Sequence, residues 1–185
     1  MPAPVPLDHP DPPLADGVVA LRPWSADDLA AFVAMHDDPD VARFTPLASP
    51  YTEAHGRAWL TAEPGRRIAG DELALAVHAA GGGAVGSIGL RPDPDDREIV
   101  EVGYVVAAHA RGRGVATRAV RLAVGWAIET WRPERMQLTT TIDNAASHRV
   151  AERAGFRREG VLRAWAANRG RRVDLVMWSR LPGDG

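Results

Sequence analysis

One stretch constrains this chain more than any other. Between Glu98 and Thr130 an alternating run passes through an Arg-Gly-Arg-Gly turn directly into a long apolar helical pattern. Val100, Val102, Tyr104 and Val106 fall on one face of a strand; Glu101, Gly103 and Val105 fall on the other. Beyond the turn, Val115, Ala119, Leu122, Ala123 and Trp126 recur at helical spacing. A helix start carries free N–H groups and a partial positive charge, so it binds phosphate. Each such contact is worth about 0.3–1 kcal/mol, and up to ~2 kcal/mol when partly buried. Gly112 and Gly114 lack the Cβ atoms that would hold a pyrophosphate off the backbone. Ala116 keeps the first turn small, and the Thr117 hydroxyl can add a hydrogen bond. On these residues alone, a solvated Arg-Gly turn before a core helix explains the pattern equally well.

Two other glycine-loop chemistries fit less well. A Walker-type loop needs a Lys-Ser/Thr pair, and every Lys/Arg position of this chain is arginine. A dinucleotide fingerprint needs a third glycine where Thr117 stands. The chain has no cysteine, which excludes disulfides, thiolate zinc sites and a cysteine nucleophile. The net charge of -2 speaks against a nucleic-acid binder. Met1 to Pro13 has neither a basic start nor an apolar run, and no segment approaches a membrane span. The expectation is a cytoplasmic protein with no membrane, metal or nucleic-acid partner, either monomer or homodimer.

The 185 residues fit one domain. Prolines make residues 1–16 a flexible tail, and 17–182 the domain. Strands are expected at Val18–Arg22, Leu73–His78, Ala84–Leu90, Glu98–Val106, Met136–Ile142, Arg157–Trp165 and Arg171–Arg180. Helices follow Ser25, Thr52, Gly114 and Asn144. Pro64-Gly65 should stop the second of these, and Arg91 to Arg97 reads as a polar loop. The result is an α/β (α+β) chain with a mixed sheet of about seven strands and helices on its faces.

Arg111-Gly112-Arg113-Gly114-Val115-Ala116 resembles the R/Q-x-x-G-x-G/A signature of the GNAT superfamily of N-acetyltransferases. Glu101–Val106 looks like that family's fourth strand. Asn144-Ala145-Ala146-Ser147 and Val150–Phe156 are similar to its RimJ/RimL branch, as are Leu21-Arg22-Pro23-Trp24 and Asp38-Pro39-Asp40-Val41. The likeness runs from about Leu21 to Leu181. It implies a mostly antiparallel sheet, splayed between the fourth and fifth strands, and direct acetyl transfer from acetyl-CoA to a primary amine.

The resemblance also distributes roles. Pantetheine amides would pair with backbone near Val105, Val106 and Ala107. The pyrophosphate would lie on Arg111, Gly112, Arg113, Gly114, Val115, Ala116 and Thr117. Glu101 is the candidate base, directly or through water, with Glu98, His78 and His109 behind it. A surface carboxylate satisfied by an arginine is the other reading of Glu101. Ser147 is the candidate donor to the leaving thiolate, or a helix-capping residue. Asn144 contacts pantetheine or caps the helix. Tyr104, on the face opposite Glu101, ranks below Ser147. A non-catalytic acyl-CoA sensor would keep the turn and lose these groups.

Overall fold

The computed structural model describes residues 5–184. Eight strands form one sheet in the order β1-β2-β3-β4-β5-β6-β8-β7. They are β1 (Leu14–Ala15), β2 (Val19–Pro23), β3 (Leu73–Ala79), β4 (Ala84–Pro92), β5 (Ile99–Val106), β6 (Arg135–Thr141), β7 (Arg157–Asn168) and β8 (Arg171–Arg180). All neighbours are antiparallel except β5 and β6. The helices are α1 (Leu29–His36), α2 (Pro39–Phe44), α3 (Glu53–Ile68), α4 (Val115–Thr130) and α5 (Ala145–Arg153).

The expected fourth strand is β5, because β1 adds a strand ahead of it. Its pairing with β6 decides the shape of the molecule. The parallel register runs Ile99↔Arg135, Val100↔Met136 and Glu101↔Gln137, and ends there. Beyond Glu101, β5 stays with β4 as far as Val106, while β6 stays with β8 as far as Thr141. The sheet opens as a V with Glu101 on its last closed rung.

The core lies between the sheet and α4. Ala119, Ala123 and Ala127 recur every four residues on α4, and their small side chains let the helix approach Leu75, Ile88, Val100 and Val102. Val120 and Val124 are fully buried there, each worth about 1.5–3 kcal/mol. The opposite face of β3, β4 and β5 is covered by α1 and α3. Phe32 stacks on Trp59 and meets Trp24 edge-on, closing that layer.

Three expectations need correction. Residues 5–16 are not free of the domain: Leu7 is buried, its N–H donates to the Arg67 carbonyl, and Leu14–Ala15 pairs with β2. Met1 to Pro4 of the expected tail lie outside the described residues. The helix α3 runs through Pro64 to Ile68. Its last turn is held by Leu7 on Arg67 and by Arg66 pairing with Glu72, contacts that override the break. Finally, β4 continues through Arg91 and Pro92, where a loop was expected.

Candidate active site

The V between β5 and β6 opens into a cleft of about 770 Å³, lined by α2, β5, the 111–117 turn and the start of α5. That is within the ordinary range for a small-molecule site, roughly 300–1,000 Å³. Its floor is unpaired backbone. Strand alternation turns the N–H and C=O of successive residues to opposite neighbours. The Ala107 N–H donates to the Val85 carbonyl on the β4 side (2.9 Å). By the same alternation Val105 faces β4, whereas Tyr104 and Val106 face the gap. Of the expected backbone contacts, Val106 thus faces the gap, with its carbonyl accepting from Arg111 Nε, while Val105 and Ala107 face β4.

The turn closes one end of the cleft. Gly112 (φ 75) and Gly114 (φ 78) occupy the left-handed region, which glycine enters without steric cost. No atom lies within 4 Å of a Cβ built at either position. The glycines thus serve the path of the chain and also leave the space above it clear. Gly114 is the N-cap of α4. The first helical bond is Arg118 N–H to Gly114 carbonyl (3.0 Å), so the N–H groups of Val115, Ala116 and Thr117 have no partner within the helix. Gly112, Gly114, Val115, Ala116 and Thr117 all line the cleft, and so do Arg149 and Arg153 of α5. These two arginines were missed by sequence reasoning; one turn apart on α5, they gave no signal without its docking position. Arg113 is exposed and does not line the cleft.

The Arg111 side chain has other business. Its Nη2 donates to Asp38 Oδ1 (2.8 Å), its Nη1 to Asp40 Oδ2 (2.9 Å) and its Nε to the Val106 carbonyl (3.0 Å). Asp38 is also the N-cap of α2, accepting from the N–H groups of Asp40 and Val41. Burial opposes the Asp38 charge, but Arg111 and these N–H groups outweigh it and hold its carboxyl below the usual range. Arg111 therefore ties α2 to the end of β5. The Asp38-Pro39 pair, a cap followed by proline at the first helical position, is the local sequence signal for α2.

The far end of α2 is latched from remote parts of the chain. Arg43 pairs with Asp143 beyond β6 (2.7 Å). Asn168 Nδ2 and Arg169 Nε, at the tip of the β7–β8 hairpin, donate to the carbonyls of Arg43 (3.0 Å) and Ala42 (2.9 Å). These contacts hold α2 beside the cleft, with Val41 and Phe44 among its walls. His36 of α1 lines the same side; burial keeps its imidazole below the usual range, offset in part by the Phe32 carbonyl.

The two candidate catalytic residues occupy opposite faces of β5. On the α5 face, Asn144 caps the helix by accepting from the Ser147 N–H (3.0 Å). That leaves the Ser147 hydroxyl beside Tyr104. Burial pushes the Tyr104 phenol up to about 12, and Ser147 offsets a little of it. The two hydroxyls are near each other without a bond of good geometry, and the buried Tyr104 oxygen makes no other hydrogen bond. Buried hydroxyls rarely stay unpaired, so this one is open to a ligand. On the α3 face, Glu101 lies directly opposite Arg91 of β4 and accepts from its Nη2 (3.0 Å). Arg91 Nη1 donates to Glu72 Oε1 (3.0 Å), and Arg66 of α3 pairs with Glu72 Oε2 (3.3 Å). Glu72, Arg91 and Glu101 all line the cleft. Of the weaker base candidates, His78 pairs with Arg22 and Asp28 and, like Glu98 and His109, lies outside the cleft lining.

A sheet splayed beside a glycine turn that caps a long helix defines a protein that holds an extended, phosphate-bearing ligand. Comparison with known proteins supplies the family. The acetyltransferase (GNAT) domain model matches residues 19–157, and this chain belongs to that family of N-acyltransferases. It is similar to the L-amino acid N-acetyltransferase AaaT of Escherichia coli, 26% identical over 168 residues that cover 88% of this chain and 98% of AaaT. It is 32% identical over 100 residues to YdaF of Bacillus subtilis, a match covering 54% of this chain but only 55% of YdaF. The structure of Mycobacterium smegmatis RimJ in complex with CoA-disulfide shares the fold, with a TM-score of 0.81 at 22% identity over 91% of this chain and 85% of that one. No helix among the described residues is long and apolar enough to cross a membrane.

Proposed function

We propose that this protein transfers an acetyl group from acetyl-CoA to a primary amine, by direct attack while both substrates are bound. One observation carries the reading. The unpaired edge of β5 runs from the last rung at Glu101 to the turn whose free N–H groups start α4. An extended ligand with amides along its length and a pyrophosphate at one end fits that surface: amides pair with Tyr104 and Val106, phosphates with the N–H groups of the turn. Arg149 and Arg153 supply positive charge nearby.

In the transfer the amine nitrogen bonds to the thioester carbonyl carbon, the carbon–sulfur bond breaks, coenzyme A leaves as thiolate, and the surplus proton on the acylated nitrogen passes to that thiolate, giving the amide and free thiol. The amine must first be neutral. At pH 7 this costs about 1 kcal/mol for a terminal α-amine and between ~4 and 5 for a lysine-like amine. Glu101 takes that proton, directly or through water. The Ser147 and Tyr104 hydroxyls face the leaving sulfur as hydrogen-bond donors. A phenol at about 12 keeps its proton at neutral pH, so Tyr104 can donate. The acceptor is the amine of a peptide N-terminus or of a small molecule, and the setting is the cytoplasm.

The test is coenzyme A release with a panel of amino acids, small amines and N-terminal peptides. Glu101→Gln should lower kcat, by roughly 10²–10⁴-fold if proton removal is limiting, with acetyl-CoA affinity unchanged. Acetyl-CoA that binds without any turnover would favour a sensor; no binding would remove both readings. An unchanged pH–rate profile in Glu101→Gln would take Glu101 out of the base role.

A further inference from the structure

We propose that Arg91 is a positioning residue for the transfer, inlaid in a slot made by two facing glycines, and that it holds the Glu101 carboxylate aimed at the acceptor. The inference rests on the reading of Glu101 as base. Gly89 and Gly103 are register partners on β4 and β5, beside the Arg91↔Glu101 pair and on the same face. A Cβ at Gly103 would stand 2.8 Å from Arg91 Nη2, and one at Gly89 would stand 2.7 Å from Glu72 Oε1. Neither glycine has a positive φ, so backbone conformation does not call for it. What both positions require is room for the guanidinium and its second carboxylate.

The slot fixes a chain of alternating charge, Arg66–Glu72–Arg91–Glu101, leading from α3 to the vertex of the V. Burial works against the Arg91 charge, but Glu101 and Glu72 outweigh it and hold its guanidinium above the usual range, so it is cationic at every working pH. Arg91 bonds Oε1 of Glu101 and leaves Oε2 for the proton. The other charged or titratable groups near Glu101 are few. Gln137 lies abreast on β6 and accepts from Arg135 Nε. His36 of α1 and Asp40 of α2 face the same cleft, the first disfavoured as a cation by burial and the second held by Arg111.

The experiment compares pH profiles of kcat/KM for the full chain and for Arg91→Gln, Arg91→Lys, Gly103→Ala and Glu101→Gln, with acetyl-CoA affinity and melting temperature measured alongside. Gly103→Ala is the sharp variant: alanine fits the backbone there, and its methyl displaces only the end of a flexible side chain. Arg91→Gln and Gly103→Ala should both lower kcat/KM, by about ten- to a hundredfold, as the aimed carboxylate is released. Acetyl-CoA affinity should stay unchanged. The double variant should be no worse than Arg91→Gln alone, and Arg91→Lys should recover part of the loss. A wild-type kcat/KM in Gly103→Ala and Arg91→Gln, with a reduced one in Glu101→Gln, overturns the role of Arg91 and leaves Glu101 as base. A wild-type profile in Glu101→Gln removes the base and this inference with it. Should Arg91→Gln fail to fold, Gly103→Ala decides alone.

Discussion

The two ends of the cleft are built in different ways. The turn at 111–117 is local: two glycines, a helix start and the strand before it lie within one short stretch. The α2 side is assembled from afar. Arg111 reaches Asp38 across 73 residues, Arg43 reaches Asp143 across 100, and Asn168 reaches Arg43 across 125. The local end rests on a helix whose buried Val120 and Val124 contribute about 1.5–3 kcal/mol each. The remote end rests partly on exposed pairs such as Arg43–Asp143, worth about 0–1 kcal/mol. The comparison teaches that the turn end is held rigidly by one packed helix, while the α2 end is held by separate contacts from remote parts of the chain, of which the exposed pairs are individually weak.

Variants can break this comparison, and the largest effect should come from the rigid end. Gly114→Asp forces a non-glycine residue to φ 78 and sets charge against the pyrophosphate. Acetyl-CoA binding should be abolished in a calorimetric titration, and unaltered affinity would mean the turn is not the phosphate site. Next comes the pair at the sulfur. Ser147→Ala with Tyr104→Phe should lower kcat by about 10²–10³-fold, the range for losing a charge-stabilising donor, and spare the acceptor KM. Equal kcat in the double variant and the wild type would remove both donors.

Arg111→Lys sharpens the division between the ends. Lysine cannot reproduce a fork that reaches two carboxylates and a carbonyl. Charge-assisted bonds of this kind are worth about 1.5–3 kcal/mol. The acceptor KM should rise about tenfold or more in steady-state kinetics, with acetyl-CoA affinity little changed. The reverse pattern would make the Arg111 side chain a phosphate ligand after all. The smallest effect belongs to the exposed latch. Asp143→Asn should raise the acceptor KM by no more than about fivefold, and high salt should do the same to the wild type. The bond from Arg43 holds the Asp143 carboxyl below its usual range against the opposing effect of burial. A lowered folded-state value means that the latch is complete above the ordinary carboxylate range and is lost only as pH falls through that lowered value. The acceptor KM of the wild type, but not of Asp143→Asn, should therefore carry this acid-side rise.

What could be read in advance follows the same division. The strand, the turn and α4 were legible because periodicity and glycine chemistry act over a few residues. Ser147 and Asn144 were legible as a pair at the start of α5, where Asn144 takes one of its two expected roles, the cap. An arginine partner for Glu101 was among the expectations, but which arginine was not legible. Arg91 stands next to Pro92 in a stretch that reads as a loop, and only the register of β4 on β5 carries it opposite Glu101. Which backbone groups face the gap was not legible for a related reason. Alternation gives two possible phases, and the bond from Ala107 to Val85 selects one. The docking of residues 5–16 also escaped, since Leu7 and the remote Arg67 carry no shared pattern.

By itself, then, the sequence determined the feature from which everything started: an alternating strand, an Arg-Gly-Arg-Gly turn and an apolar helix, hence a helix start with free N–H groups. These depend on contacts between near neighbours, which composition and spacing encode. Only the tertiary structure decided that Arg111 braces α2, that Tyr104 joins Ser147, and that Arg91 lies in a glycine slot against Glu101. Those contacts depend on strand register and helix docking. These arise when many weak burial terms are satisfied at once, and no single stretch of the chain contains them.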